Sequence, residues 1–73
     1  MGQSFEFSID LSVQKTRRIY QGSAKFLLVV TDDGLKLQFP VANFRQFVSK
    51  NGIQGRFLAE TDDRHRLLKL RRL

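Results

Sequence analysis

Residues 26–40 read FLLVVTDDGLKLQFP and carry the strongest local structure signal in the chain. Residues 26–30 are apolar, rich in β-branched side chains and too few for an ordinary helix, which predicts a central strand covered on both faces. Asp33-Gly34 is the strongest short signal for a hairpin turn. Apolar and polar residues then alternate over residues 35–39, which predicts a return strand. That strand should end at Pro40, because proline has no backbone donor for the ladder.

The acidic turn of this hairpin has a second copy farther along the chain. Thr31-Asp32-Asp33 returns as Thr61-Asp62-Asp63, and in the same register Gly22 matches Gly52, Leu28 matches Leu58 and Leu37 matches Leu67. Each copy consists of a helical stretch, a glycine, an apolar run, the acidic turn and a second apolar run. The pattern predicts two similar helix-plus-hairpin units, an internal pseudo-repeat inside one small closed domain.

The segment before the hairpin predicts a strand followed by a short helix. Apolar residues alternate with polar ones from Phe5 to Leu11, the period of a strand with one buried face. Asp10 or Ser12 can then cap a helix, and Gly22 is a natural stop. On that helix Val13, Thr16 or Arg17, and Tyr20 fall on one face, with Lys15 and Arg18 outside.

The segment after the hairpin repeats this order. Val41, Phe44 and Phe47 recur at helical spacing, which predicts a second amphipathic helix over residues 41–49. Residues 53–60 alternate as a fourth strand and residues 65–72 predict a fifth, with a bulge at Leu67-Leu68 that would cover both leucines. The order β-α-β-β-α-β-β predicts an α+β fold for a single domain of residues 1–73: a mainly antiparallel sheet of about five strands with two short helices.

Size and composition limit the classes to which this protein can belong. The chain has 73 residues, seven phenylalanines and no cysteine, so its thin core must depend on aromatic rings. We find no apolar run long enough to span a membrane and no secretion signal, and we expect a soluble, cytoplasmic protein. The net charge of +6 favours acidic partners, although charge of this size also serves solubility alone.

Residues that could support catalysis or metal binding are sparse. His65 is the only histidine and lies beside the second turn, where a solvated strand-edge role explains it. The Asp pairs of the two turns could hold a divalent cation if the turns met in space, but turn geometry alone accounts for them. Gly52-Ile53-Gln54-Gly55 resembles a backbone-clamping RNA loop in the wrong context. We therefore expect no enzymatic activity, no metal and no cofactor.

Basic residues give a stronger indication of function than any catalytic motif. They occupy the first predicted helix and the last ten residues, whereas the acids concentrate in the turns and the first strand. Charge segregation of this kind is typical of an anion-binding surface, although arginine at a strand edge also prevents unwanted pairing. We expect a binding or adaptor domain that holds an acidic partner, nucleic acid or protein, through Lys15, Arg17, Arg18, Arg66, Lys69, Arg71 and Arg72.

An alternative role depends on leucines rather than charge. Leu67, Leu70 and Leu73 would leave one face of the last strand apolar and exposed. Under this alternative the chain is a protein–protein interaction or homodimerisation module that uses its C-terminal strand edge.

Several of these features together resemble a known family. The matching motifs are Phe5-x-Phe7-x-Ile9, Tyr20-x-Gly22, Asp33-Gly34, Leu37-Gln38-x-Pro40, Phe44, Phe47 and Gly52-Ile53-x-Gly55-x-Phe57. Over about positions 5 to 70 the chain resembles the small bacterial proteins grouped as domain of unknown function 2835. The resemblance implies a free-standing single-domain α+β protein and no established activity.

Overall fold

The computed structural model describes residues 2–22 and 24–73 and has the predicted order of elements. In chain order the elements are β1 (Gln3–Leu11), α1 (Val13–Gln21), β2 (Phe26–Val30), β3 (Lys36–Pro40), a 3₁₀ helix (Val41–Phe47), β4 (Ile53–Thr61) and β5 (Leu67–Arg72). The α+β class and the order β-α-β-β-α-β-β are confirmed. Both hairpins of the sequence repeat form, β2–β3 and β4–β5, each around one of the acidic turns.

The five strands pair antiparallel in two ladders. The first has the order β1-β4-β5 and the second consists of β2 and β3. They meet at an antiparallel bridge between Phe7 and Thr31, next to which the Asp32 amide donates to the Glu6 carbonyl at 2.9 Å. The strand count and direction are therefore as predicted, with a break in what would otherwise be one continuous sheet.

Aromatic rings fill the core between the ladders and the 3₁₀ helix. Phe7, Phe39, Phe44 and Phe57 are fully buried. The Phe57 ring stacks on Phe7 with centroids 5.9 Å apart and meets Phe44 edge-on at 6.1 Å. It also meets Phe47 edge-on at 5.0 Å. Such ring pairs add about 0.5–1.5 kcal/mol beyond the burial of their area. The prediction that phenylalanine compensates for a thin core is consistent with this packing.

The prediction that β2 is covered on both faces is wrong. Leu27 and Val29 turn inward, but Phe26, Leu28 and Val30 are 58%, 56% and 52% exposed. The reason is the break between the ladders: β2 pairs with β3 alone along most of its length, and no element among the described residues packs over its outer face. We call Phe26, Leu28 and Val30 the β2 stripe.

Helix α1 begins and ends where the sequence predicts. The Ser12 side chain accepts from the Lys15 amide at 3.2 Å, and the Gly22 amide donates to the Arg18 carbonyl at 2.9 Å. Ser12, not Asp10, is therefore the cap. The Tyr20 hydroxyl donates to the Val41 carbonyl at 3.1 Å and ties the helix to the start of the 3₁₀ helix.

The second helix is shorter and tighter than predicted. It is a 3₁₀ helix over Val41–Phe47, not an amphipathic helix to residue 49. Val41 and Phe44 are buried and Phe47 is half-buried, so the apolar side chains recur every third residue, the period of a 3₁₀ turn. A tight turn follows, in which the Ser49 and Gly52 amides each donate to the carbonyl of the other at 2.8 and 3.0 Å.

The last strand has the bulge that the sequence predicts, with a different outcome for its leucines. The ladder shifts register between Glu60 and Thr61, opposite Leu67-Leu68. Leu67 is half-buried, but Leu68 is 67% exposed, so the prediction that both find cover is wrong for Leu68. Leu70 is buried in the core. The predicted apolar face of Leu67, Leu70 and Leu73 therefore does not form as one exposed surface.

Candidate anion-binding groove

A groove separates helix α1 from the segment that follows β3. Its first part, a cleft of about 370 Å³, is lined by Val13, Thr16, Arg17, Tyr20, Arg45, Val48, Ser49 and Gly52. Its second part, about 290 Å³, is lined by Ile19, Tyr20, Gly22, Ala24, Lys25, Pro40, Val41, Ala42 and Arg45. Tyr20 and Arg45 belong to both parts and lie at their junction. We call the two parts together the basic groove.

The charges in the basic groove are all positive. Arg17, Lys25 and Arg45 line it, and no aspartate or glutamate does. Within residues 2–22 and 24–73, none of the three cations forms an ion pair with a carboxylate. Because they lie around a concave surface of low polarity, their fields add there and favour an anion.

Tyr20 holds Arg45 at the junction of the groove. The Arg45 guanidinium carbon lies 5.6 Å from the centroid of the Tyr20 ring, within the range of a cation–π contact. Burial raises the pKa of the Tyr20 hydroxyl, an effect partly offset by the positive charge of Arg45. The phenol therefore stays protonated at neutral pH and keeps its hydrogen bond to the Val41 carbonyl.

The wall of the first cleft contains a polar group with no partner. Thr16 is 4% exposed, and its hydroxyl forms no hydrogen bond with any described residue. A buried hydroxyl left unpaired costs about 1–3 kcal/mol. The sequence placed Thr16 or Arg17 on the inward face of the helix, and the structure puts Thr16 at the wall and Arg17 beside it.

The predicted basic residues of α1 divide between the groove and the exposed side of the helix. Arg17 lines it, whereas Lys15 and Arg18 project from the exposed side of the same helix, as the helical spacing predicts. All three belong to two turns of one helix, so their charges reach the same region of solvent.

Lys69 and Arg71, in contrast, lie on the face of the three-stranded ladder that turns away from the core. Lys69 pairs across the ladder with Glu60, and Arg71 pairs with Leu58, which in turn faces Glu6 on β1. Glu6, Glu60, Lys69 and Arg71 are all exposed, so this outer face carries charges of both signs. The structure therefore does not bring Lys69 and Arg71 together with the basic residues of α1.

Arg66 and Arg72 are used within the fold. The Arg66 Nε donates to Asp62 Oδ2 at 2.7 Å. Hydrogen bonds from the Arg66 amide and side chain, together with one from the Arg64 amide, lower the pKa of the Asp62 carboxyl. The Arg72 guanidinium donates to the Gln54 carbonyl at 2.7 Å. Gln54 lies on β4 beyond Phe57, the last residue of that strand that pairs with β5. Both side chains stabilise turns or strand ends.

Arg56 is a third arginine with structural partners, and the sequence does not predict those partners. Its guanidinium donates to both carboxylate oxygens of Asp32, at 3.0 and 2.5 Å, and to the Ser8 hydroxyl at 3.0 Å. Glu6 lies 3.7 Å away. The hydrogen bonds from Arg56 lower the pKa of Asp32. Arg56 thus joins the two ladders through the first acidic turn, and its guanidinium is engaged within the chain.

Lys25 and Arg45 line the groove but do not belong to the predicted set of binding residues. The available signal was that Arg45 is a basic residue on the second predicted helix and that Lys25 lies just after the end of the first. Their approach to Arg17 depends on how the 3₁₀ helix packs against α1, which no local pattern specifies.

The described residues hold no cluster of three or more histidine, cysteine, aspartate or glutamate side chains that could bind a metal ion. The two acidic turns have separate partners, Asp32 with Arg56 and Asp62 with Arg66. His65 has φ 63° and packs edge-on against Phe5 with centroids 5.4 Å apart. Its ring therefore has a packing contact at the rim of the core.

The described residues define a class: a small α+β domain with a cationic groove beside α1 that no described carboxylate lines. The chain belongs to the family described as "Protein of unknown function (DUF2835)", whose model matches residues 3–73. No curated protein and no solved structure matches the chain. Among the described residues, no helix has both the length and the apolar character needed to cross a membrane.

Proposed function

We propose that this protein is a non-enzymatic binding domain that holds an acidic partner in the basic groove. One observation carries the proposal: Arg17, Lys25 and Arg45 surround a concave surface to which no carboxylate contributes. Lys15 and Arg18 extend the positive field along α1. Lys69 and Arg71, which we expected to share the site, lie on the outer face of the ladder, and in this proposal they contribute through net charge alone.

Removing two groove charges should weaken binding much more than removing two charges elsewhere. Arg17→Gln with Arg45→Gln should lower affinity for an acidic peptide or oligonucleotide about tenfold at low salt, since each lost contact is worth roughly 0.7 kcal/mol. Affinity of the unmodified protein should fall as salt rises, because the charges are exposed and screened. Fluorescence anisotropy at two salt concentrations measures both effects.

The matched control is Lys69→Gln with Arg71→Gln, which removes the same net charge from the outer face of the ladder. It should lower affinity less than about threefold, through long-range attraction alone. Equal losses for the two double variants would mean that net charge, not the groove, holds the partner. Absence of binding to any acidic probe at low salt would remove the proposal entirely.

Self-association is the second candidate function, and the β2 stripe favours it over the C-terminal strand edge. The stripe presents three large apolar side chains on one strand face, each more than half exposed. Two stripes packed antiparallel about a twofold axis would bury these side chains against one another, the self-complementary arrangement of a symmetric dimer.

A charge placed in the stripe should abolish such a dimer. Leu28→Lys should convert the dimer to a monomer in sedimentation experiments, because the lysine would lose its solvation at the centre of the apolar contact. Leu68→Lys is the matched control, since Leu68 is also exposed but belongs to β5. Loss of the dimer in the Leu68 variant alone would indicate that the dimer interface is at the C-terminal strand edge. A strictly monomeric unmodified protein would exclude both.

A further inference from the structure

We propose that the occupant of the basic groove is an acidic protein segment with an apolar side chain among its carboxylates. This inference rests on the proposed function and adds the chemistry of the partner. The apolar side chain would enter the first cleft, and neighbouring carboxylates would lie against Arg17 and Arg45.

The apolar side chains that line the first cleft are the observation that points to an apolar anchor. Val13 and Val48 are 38% and 41% exposed, large hydrophobic side chains that face solvent on either side of the cleft, with the Tyr20 ring beside them. A cleft of about 370 Å³ is at the small end of the range of ligand pockets, about 300–1,000 Å³, and suits one or two side chains. A site that binds its ligand by charge alone does not need these exposed apolar side chains.

The aromatic residues argue against nucleic acid as the occupant. Proteins that bind single strands stack bases on exposed aromatic rings. Here Tyr20 is the aromatic residue of the groove, and Arg45 already lies over its ring. The exposed ring of Phe26 belongs to the β2 stripe and does not line either part of the groove. Base stacking would therefore require Arg45 to leave Tyr20.

Thr16 lies in the wall of the cleft, on the helix turn that also carries Arg17, and its hydroxyl has no partner among the described residues. The hydroxyl oxygen has almost no exposed surface, so it would reach a ligand only after its side chain rotates. The carboxylate is therefore placed against Arg17, while its apolar neighbour covers Val13 and Val48.

Two labelled peptides and one oligonucleotide test this. The first peptide has eight glutamates around a central leucine, the second has serine in place of the leucine, and the third probe is an oligothymidylate of equal charge. We expect the leucine peptide to bind about tenfold more tightly than the serine peptide, from burial of one apolar side chain. The Val48→Ser variant should remove this preference and leave affinity for the serine peptide unchanged.

Leu68→Ser, at an exposed leucine outside the groove, is the matched control and should keep the preference. If Val48→Ser does not fold by circular dichroism, Val13→Ser replaces it on the opposite side of the cleft. Equal affinity for the two peptides, or tighter binding of the oligothymidylate through the groove arginines, would overturn the inference and leave the proposed function standing. Failure of all three probes to bind would overturn both.

Discussion

Phe57→Ala should lower the free energy of unfolding by about 3–5 kcal/mol, the usual cost of deleting a buried ring. Phe57 is fully buried on the central strand β4, and its ring contacts Phe7, Phe44 and Phe47 at centroid distances of 5.0–6.1 Å. A domain of 73 residues has a total stability of about 4–11 kcal/mol at ordinary values per residue. The variant should therefore be largely or partly unfolded, which urea denaturation followed by circular dichroism would measure.

Phe26→Ala is the matched control for this prediction. It makes the same change in the exposed β2 stripe and should cost less than about 1 kcal/mol, because the ring is already mostly in water. If the two variants lost equal stability, Phe26 would have to be buried in solution. That result would contradict the exposed β2 face and would favour a stable dimer through it.

Gly52→Ala should cost about 3 kcal/mol or more, through backbone strain and overlap together. Gly52 has φ +100°, a conformation that L side chains rarely adopt. An added Cβ would overlap the Leu11 carbonyl oxygen and lie 2.7 Å from the Ser12 carbonyl carbon. Since these are backbone atoms at the junction of β1 and α1, the turn at residues 49–52 would have to move. That turn lines the basic groove, so acidic-ligand affinity should fall as well as stability.

Gly34→Ala separates the two causes. Gly34 also has a positive φ, +83°, but an added Cβ meets nothing within 4 Å. Its cost should be the strain alone, about 1 kcal/mol. Thermal or urea unfolding of both variants gives the comparison. Similar losses at the two positions would show that the close approach of Gly52 to β1 does not exist in solution.

Local chemistry explains which parts of the fold could be predicted from the sequence. Asp33-Gly34, the Ser12 cap and the Gly22 stop act over a few residues, and each forms where its pattern predicts. The exposure of β2 could not be predicted in this way. The run from Phe26 to Val30 reads the same whether both faces are covered or one remains open, and the outcome depends on where the two ladders separate.

The same distinction between local and long-range contacts applies to the residues of the candidate site. Helical spacing alone predicts that Lys15, Arg17 and Arg18 share a region, because they lie on one short helix. The face on which Lys69 and Arg71 emerge depends on the register shift at Leu67-Leu68, which is a property of the β4–β5 ladder. The hydrogen bond from Arg72 to the Gln54 carbonyl depends on where β5 ends. It joins residues that are distant in sequence, so no local pattern predicts it.

The claim that the groove between α1 and residues 40–52 holds an acidic ligand is tested most directly by mapping the contact. We would titrate the ¹⁵N-labelled protein with the leucine-containing acidic peptide and follow its amide resonances. The largest shift changes should occur at Arg17, Tyr20, Arg45 and Ser49, which line the first cleft. Largest changes at Lys69 and Arg71, with the groove amides unmoved, would contradict the claim.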